Sequence, residues 1–353
     1  MKKQKLTLMH VLTTSVLLSM SSLSFAELIN HANSAPGQAS ISWSSEDASQ
    51  FLNNDSLKAS TSSSEEYTPQ ATTTITTTIR KSTGPATSTS PTSQILDNSR
   101  YSNQPSVNAR AALVMDANTG EVLFSKNTNT ALPIASVTKL MTAVVIADAQ
   151  LNMSENITLQ SIDFAGAGGK NSSSTLRVGD TMNRAEALLF ALMKSENPAA
   201  AALARTYPGG RAAFVSAMNN KARALGMHSS KFTESTGLDP RNVASARDLG
   251  ILVSTASQYG LIRQFSTTPT YDFNLGYRVL KSNNTNSLVR NGGWNINISK
   301  TGFINEAGRC VVMHTTLNNR PAVVVLLGAS NTQARNDDAV RLMRWTSQLP
   351  RAI

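Results

Sequence analysis

Ser136-Val137-Thr138-Lys139 places a hydroxyl and an amine at a spacing that suits acyl transfer. On a helix, positions three apart share a face with β-carbons about 5–6 Å apart, so the Lys139 amine can reach the Ser136 hydroxyl directly. A serine hydroxyl is a poor nucleophile until a base takes its proton, and an ammonium cannot be that base. Burial of the helix would favour the neutral amine, and the charge of a nearby Lys300 would push in the same direction. Two more triplets follow in order, Ser195-Glu196-Asn197 and Lys300-Thr301-Gly302. Across 353 positions only Ser136 opens S-x-x-K and only Lys300 opens K-[ST]-G, whereas S-x-N is also headed by Ser106, Ser125, Ser154 and Ser282. Ser195 stands out by its place, after the apolar stretch 187–193 and before Pro198, at a helix-turn-helix junction whose side chains can face a cleft. A serine at such a junction also suits a helix N-cap.

These residues need a frame. Residues 110–116 and 121–124, separated by Asn118-Thr119-Gly120, read as a hairpin. Residues 137–149 read as a helix apolar on nearly all faces, hence one buried on every side. Further helices are expected over 186–193, 198–205, 210–225 and 244–259, then three consecutive strands over 296–301, 309–316 and 322–327, and a closing helix over 337–349. Strands from both ends would share one sheet with an α-rich region inserted between them. The fold class is therefore α/β, an antiparallel sheet flanked by helices with an inserted helical subdomain.

Composition divides the chain. Residues 1–26 have the form of a secretory signal: Lys2, Lys3 and Lys5, an apolar run around 11–18, and Ser24-Phe25-Ala26 before a mature start near Glu27. No cysteine lies at that junction for lipid attachment, and the apolar run is too short for a spanning anchor. Residues 27–105 are dominated by Ser, Thr, Asn and Pro, with Thr72-Thr73-Thr74-Ile75-Thr76-Thr77-Thr78 at the densest point, and read as a disordered tether. A catalytic domain over 106–353 remains. Residues 1–105 hold seven basic and seven acidic side chains, so the net charge of +10 belongs to that domain. A basic surface suits nucleic acid or a polyanionic wall polymer, and export selects the wall. Aromatics at 5% and the lack of a basic helix also argue against nucleic acid. Cys310 is the only cysteine and lies in an apolar, β-branched run, so it reads as a core residue that forms no internal disulfide. Four histidines, only His228 and His314 within the domain, give no zinc site or histidine-based triad, and no cofactor is expected.

The three motifs, in that order, resemble the penicillin-binding protein and serine β-lactamase superfamily. The flanks Pro133 to Thr142, Tyr207-Pro208-Gly209-Gly210, Lys221 to Met227 and Trp294 to Gly308 are similar to its low-molecular-mass D-alanyl-D-alanine endopeptidase branch, over roughly 107–350. The resemblance implies Ser136 as nucleophile, Lys139 as its base, and Ser195 as the relay of a proton to the leaving amine. It implies that Asn197 bonds both Lys139 and the substrate amide, and that Lys300 and Thr301 hold a substrate carboxylate. Gly302 would let a peptide lie close, and the N–H groups of Ser136 and Phe303 would hold the oxyanion. The implied substrate is the peptidoglycan cross-link, cleaved in the periplasm, with β-lactams acylating the same serine. A D-alanyl-D-alanine carboxypeptidase is the alternative, and a β-lactamase or a non-catalytic wall-binding scaffold stands further off.

Several local features complete the reading. Glu234-Ser235-Thr236-Gly237-Leu238-Asp239 does not reproduce the E-x-x-L-N of class A β-lactamases, and intact catalytic residues argue against a scaffold. A phosphate loop at 166–170 fails because Phe164 and Asn171 occupy its required Gly and Ser/Thr places, leaving 165–174 as a flexible loop near the cleft mouth. Arg247-Asp248 would form an ion pair fixing a helix start. Lys194 stands where relatives carry a small residue, Thr285 where carboxypeptidases carry arginine, and Ala246 where threonine is frequent. Loss of that arginine weakens recognition of a free terminal carboxylate and fits cleavage inside a cross-link. The end of the chain at Ile353 leaves no room for the C-terminal β domain and amphipathic anchor of carboxypeptidase relatives.

Overall fold

Apolar runs near both ends of the folded part meet in one antiparallel sheet, as the computed structural model of the chain shows. It describes residues 101, 103–166 and 174–350; the expected signal peptide, nearly all of the expected tether, and most of the expected loop at 165–174 lie outside the described residues. β1 (Ala111–Asp116) and β2 (Val122–Lys126) form the hairpin, with Gly120 at φ +73° in its turn. The short β3 (Leu132–Pro133) leads into a 3-10 turn, Ala135–Val137, and then α1 (Thr138–Asp148). Every residue of α1 but Asp148 is buried, as its all-round apolar sequence requires.

The inserted region begins with β4 (Asn156–Thr158), β5 (Thr181–Asn183) and α2 (Arg184–Leu189). Asn183 caps α2 by accepting from Glu186 N while Glu186 reaches back, which starts the helix two residues before the apolar pattern does. The expected helix over 186–193 changes character at Phe190, where Phe190–Lys194 winds as a π-helix. Two alanine-rich helices follow, α3 (Asn197–Arg205) and α4 (Gly210–Ala224). After β6 (Val243–Ala244), α5 (Ala246–Ala256) is set by the Ser245 cap and is shorter than expected. A separate α6 (Gly260–Thr267) and the hairpin of β7 (Thr270–Asn274) and β8 (Val279–Asn283) then appear. Neither was anticipated, because each is short, eight residues for α6 and five for each strand, although Leu261, Ile262 and Phe265 of α6 do share a buried face.

A single turn, α7 (Ser287–Arg290), precedes β9 (Asn295–Ile304), β10 (Gly308–Leu317) and β11 (Arg320–Ala329). The closing α8 (Thr332–Ser347) starts five residues earlier than expected because Asn331 caps it, accepting from Ala334 N. Sheet order is β2-β1-β11-β10-β9, so β9 is an edge strand. In β11, Val323, Val325 and Leu327 join the core around α1, while Val324 and Leu326 pack with Leu342 and Met343 of α8. Both faces of the central strand are covered, and its continuous apolar run follows from that.

Candidate active site

Four segments converge where the edge strand β9 passes the start of α1. Ser136 lies in the 3-10 turn, directly after Ala135, whose φ of +48° is unusual for a residue with a side chain. Lys139, one turn on, is fully buried and donates to Ser136 Oγ at 3.0 Å, Asn197 Oδ1 at 2.6 Å and the Thr236 carbonyl at 2.7 Å. Burial lowers its pKa to about 7, against the opposing charges of Glu234 and Glu196. Asn197 opens α3, and Pro198 follows in the first turn, where its missing N–H costs nothing.

Ser195 ends the π-helical turn in the left-handed conformation, φ +65°, and its Oγ accepts from Lys300 Nζ at 2.8 Å. Lys300 is also buried and donates to its neighbour's carbonyl, Thr301 O, at 2.9 Å. Burial, then the charges of Lys139 and Arg335, hold it well below the ordinary lysine range. Lys300 was expected to help lower Lys139, but burial alone does that; the repulsion between the two lysines shows only as a depression of Lys300. Thr301 Oγ1 donates to Thr285 Oγ1 at 2.7 Å, which brings the residue found in place of arginine into the site. Phe303 is 44% exposed, and the Arg309 guanidinium lies 3.6 Å from its ring centroid.

One wall escaped sequence reasoning, the turn over 233–239. Its Thr236 carbonyl meets Lys139, its Ser235 carbonyl accepts from Thr142 Oγ1 at 2.8 Å, and Ser235 Oγ donates to Ala200 O at 2.9 Å. Gly237, φ +84°, packs so tightly that a β-carbon there would stand 1.9 Å from Ala135 O. A glycine after three polar residues was the one visible signal. Glu196, between the two S-x-N site residues, accepts from Ser174 Oγ at 2.5 Å and Thr175 Oγ1 at 2.7 Å. Arg335 was also missed: it is buried, reaches Asn336 Oδ1 at 2.8 Å, and is pushed down to about 10 by burial and then by Arg309. A pocket of about 250 Å³ also touches Asn197 and Thr236, but its wall, which includes Pro198, Ala201, Arg211 and Leu238, contains none of Ser136, Lys139, Ser195 or Lys300 and is not the place where those residues meet.

Residues 98–331 match the family model described as D-alanyl-D-alanine carboxypeptidase. The chain belongs to this family. It is 47% identical over 242 residues to a D-alanyl-D-alanine endopeptidase of Pseudomonas aeruginosa, covering 67% of this chain and 76% of that one. A D-alanyl-D-alanine endopeptidase of Escherichia coli is 42% identical over 254 residues, covering 69% and 78%. Among solved structures, the DD-transpeptidase of Streptomyces K15 superposes with a TM-score of 0.64 at 28% identity, covering 70% of this chain and 99% of that one. The DD-peptidase fold expected from the motifs is thereby established.

One expectation for this D-alanyl-D-alanine carboxypeptidase family member needs correction, and another gains a second physical reason. A β-carbon on Gly302 would lie 2.9 Å from Ile134 O and 3.1 Å from Ser136 N, so a glycine there also lets the nucleophile's own turn lie against β9. Asp248 does not pair with Arg247. Its carboxylate accepts from Ser229 N at 2.8 Å and Ser230 Oγ at 2.7 Å, tying that loop to α5, while Arg247 N donates to Thr128 O at 3.0 Å. Cys310 is buried as expected, its thiol pushed up to about 11 by burial. Among the described residues, no group of three or more His, Cys, Asp or Glu side chains is disposed to hold a metal, and no helix is long and apolar enough to cross a membrane.

Proposed function

We propose that this chain is a serine D-alanyl-D-alanine endopeptidase that opens peptidoglycan cross-links through an ester on Ser136. The observation that carries the reading is the environment of Lys139. A neutral amine has two N–H donors and one lone pair. Two of its three partners, Asn197 Oδ1 and the Thr236 carbonyl, are pure acceptors, which leaves the lone pair for the Ser136 O–H. Burial that lowers the pKa to about 7 makes the neutral amine accessible near neutral pH.

In the first step Lys139 takes the Ser136 proton as Oγ bonds to the D-alanyl carbonyl carbon, and the N–H groups of Ser136 and Phe303 receive the oxyanion. The C–N bond then breaks. Ser195 gives its proton to the leaving amine, and the proton that Lys139 took from Ser136 replaces it, directly or relayed through Lys300, so that Lys139 is neutral again. Water next attacks the ester, Lys139 takes a proton from it, and that proton returns to Ser136 as the C–O bond breaks. A substrate carboxylate beside Lys300 and Thr301 would keep Lys300 charged by offsetting the burial that otherwise depresses it. Penicillins enter the same path and stop at the ester.

The preference for cross-links rests on the endopeptidase names of the relatives at 47% and 42% identity and on Thr285 in place of arginine. Carboxypeptidase names occur among relatives at 32% and 29% identity. The site would work in the periplasm, reached through a cleaved leader over 1–26, with 27–105 as tether to the catalytic domain over 106–353. Intact-protein mass spectrometry with a penicillin tests the chemistry: a stable adduct on Ser136, lost in Ser136→Ala, is expected, and no adduct at any dose refutes it. Digestion of cross-linked dimeric muropeptides beside free pentapeptides tests the preference, with faster loss of the dimers expected.

A further inference from the structure

The base is held from its far side by a turn whose own organiser is a carboxylate. Glu234 Oε2 accepts from Thr236 N at 2.5 Å, and Oε1 accepts from Gly237 N at 2.6 Å and Asn242 Nδ2 at 2.5 Å. Asn242 is fully buried; its Oδ1 accepts from Thr233 N at 2.6 Å, and its backbone carbonyl accepts from Ile134 N at 3.1 Å. The carboxylate thus links the turn to the segment that enters the nucleophile's 3-10 turn. With Thr236 N and Gly237 N gathered inward, the Thr236 carbonyl between them is turned out toward Lys139 Nζ.

Three charged groups face Lys139 from the elements around it: Glu196 from the start of α3, Glu234 from this turn, and Lys300 from β9. Of the two carboxylates, Glu234 has the larger influence on Lys139, and it favours the protonated amine. We infer that Glu234 is a positioning residue for acylation, its carboxylate gathering the turn so that the Thr236 carbonyl is aimed at Lys139. This rests on the proposed role of Lys139 as base. It assigns Glu234 a task different from the water-activating glutamate of class A β-lactamases, because its oxygens are occupied by the turn's own donors.

The test follows the rate of Ser136 acylation by a fluorescent penicillin across pH for the full chain and two variants. In wild type the rate rises with pH through about 7, where Lys139 loses its proton. Glu234→Gln removes the charge and turns one of the two accepting oxygens into an NH2 that cannot accept from Thr236 N or Gly237 N, so the plateau rate falls severalfold and, with the charge gone, the rising limb also moves to lower pH, the ratio of rates at about pH 6 and about pH 8 growing about threefold. Glu234→Asp keeps the charge and shortens the reach, so the limb stays in place while the plateau rate falls about tenfold. A Glu234→Gln or Glu234→Asp variant acylated at the wild-type plateau rate overturns the inference. Should Glu234→Gln not fold, the aspartate variant decides alone. Failure of wild type to label at any pH would instead sink the reading of Ser136 and Lys139.

Discussion

On the sheet side of the site, Lys300, Thr301 and Gly302 are consecutive in β9 and stand opposite Val312, Val311 and Cys310 of β10. On the helical side, Ser195, Asn197 and Thr236 come from the end of a π-helical turn, the start of a helix and a loop. The sheet side is positioned by a ladder whose register follows from long apolar strands, so each residue is held by many weak, redundant contacts. No ladder supports the helical side. It relies on left-handed backbone at Ser195 and Gly237 and on the carboxylates of Glu196 and Glu234. Small changes there should alter chemistry more sharply than comparable changes on the strand.

That contrast can be broken most directly at Gly237. Alanine there meets Ala135 O and forces φ +84° on a residue with a side chain, so Gly237→Ala should cost at least about 3 kcal/mol in urea unfolding. Gly302→Ala, with its nearest contact at 2.9 Å, should cost about 1–3 kcal/mol; equal losses at the two glycines would erase the distinction.

Ser195→Gly sharpens it by separating stability from activity. Relief of φ +65° and the loss of an acceptor for the buried Lys300 offset each other, so stability should change by about 1 kcal/mol or less in thermal unfolding, while loss of the hydroxyl slows peptide cleavage about 100-fold. A change of pH reaches both sides, since Lys300 is also held well below the ordinary lysine range, but only on the helical side must the amine be neutral. Lys139 must be neutral to accept a proton, so penicillin acylation should fall about tenfold per unit as pH drops below about 7, measured by labelling rate. A pH-independent rate between about pH 5 and about pH 8 would show the amine is not the base. The smallest effect is expected on the strand. Thr301→Val removes the hydroxyl that bonds Thr285 Oγ1 and should raise KM severalfold with a stability change of about 1 kcal/mol or less.

The same division governs how much could be read from the letters. The hairpin at 111–126 and the three strands from 295 to 329 follow from apolar patterning, and the motifs on them came with their neighbours in register. The hairpin β7–β8 and the helix α6 escaped because they are short, so that few apolar positions mark each of them. Glu234 was weighed only as a possible water activator; its partners Thr236 N and Gly237 N are near in sequence, but Asn242 and the Lys139 that the turn serves are not. The second neighbour of Gly302, Ile134 O, likewise lies far away along the chain.

Residues three apart at the start of a helix share a face wherever that helix packs, so the pairing of Ser136 with Lys139 was already present in the order of amino acids. The proton affinity of that lysine was not. It depends on complete desolvation by surrounding elements, on a carbonyl 97 positions away, and on two carboxylates brought in by other segments, and these meet only once the chain has folded.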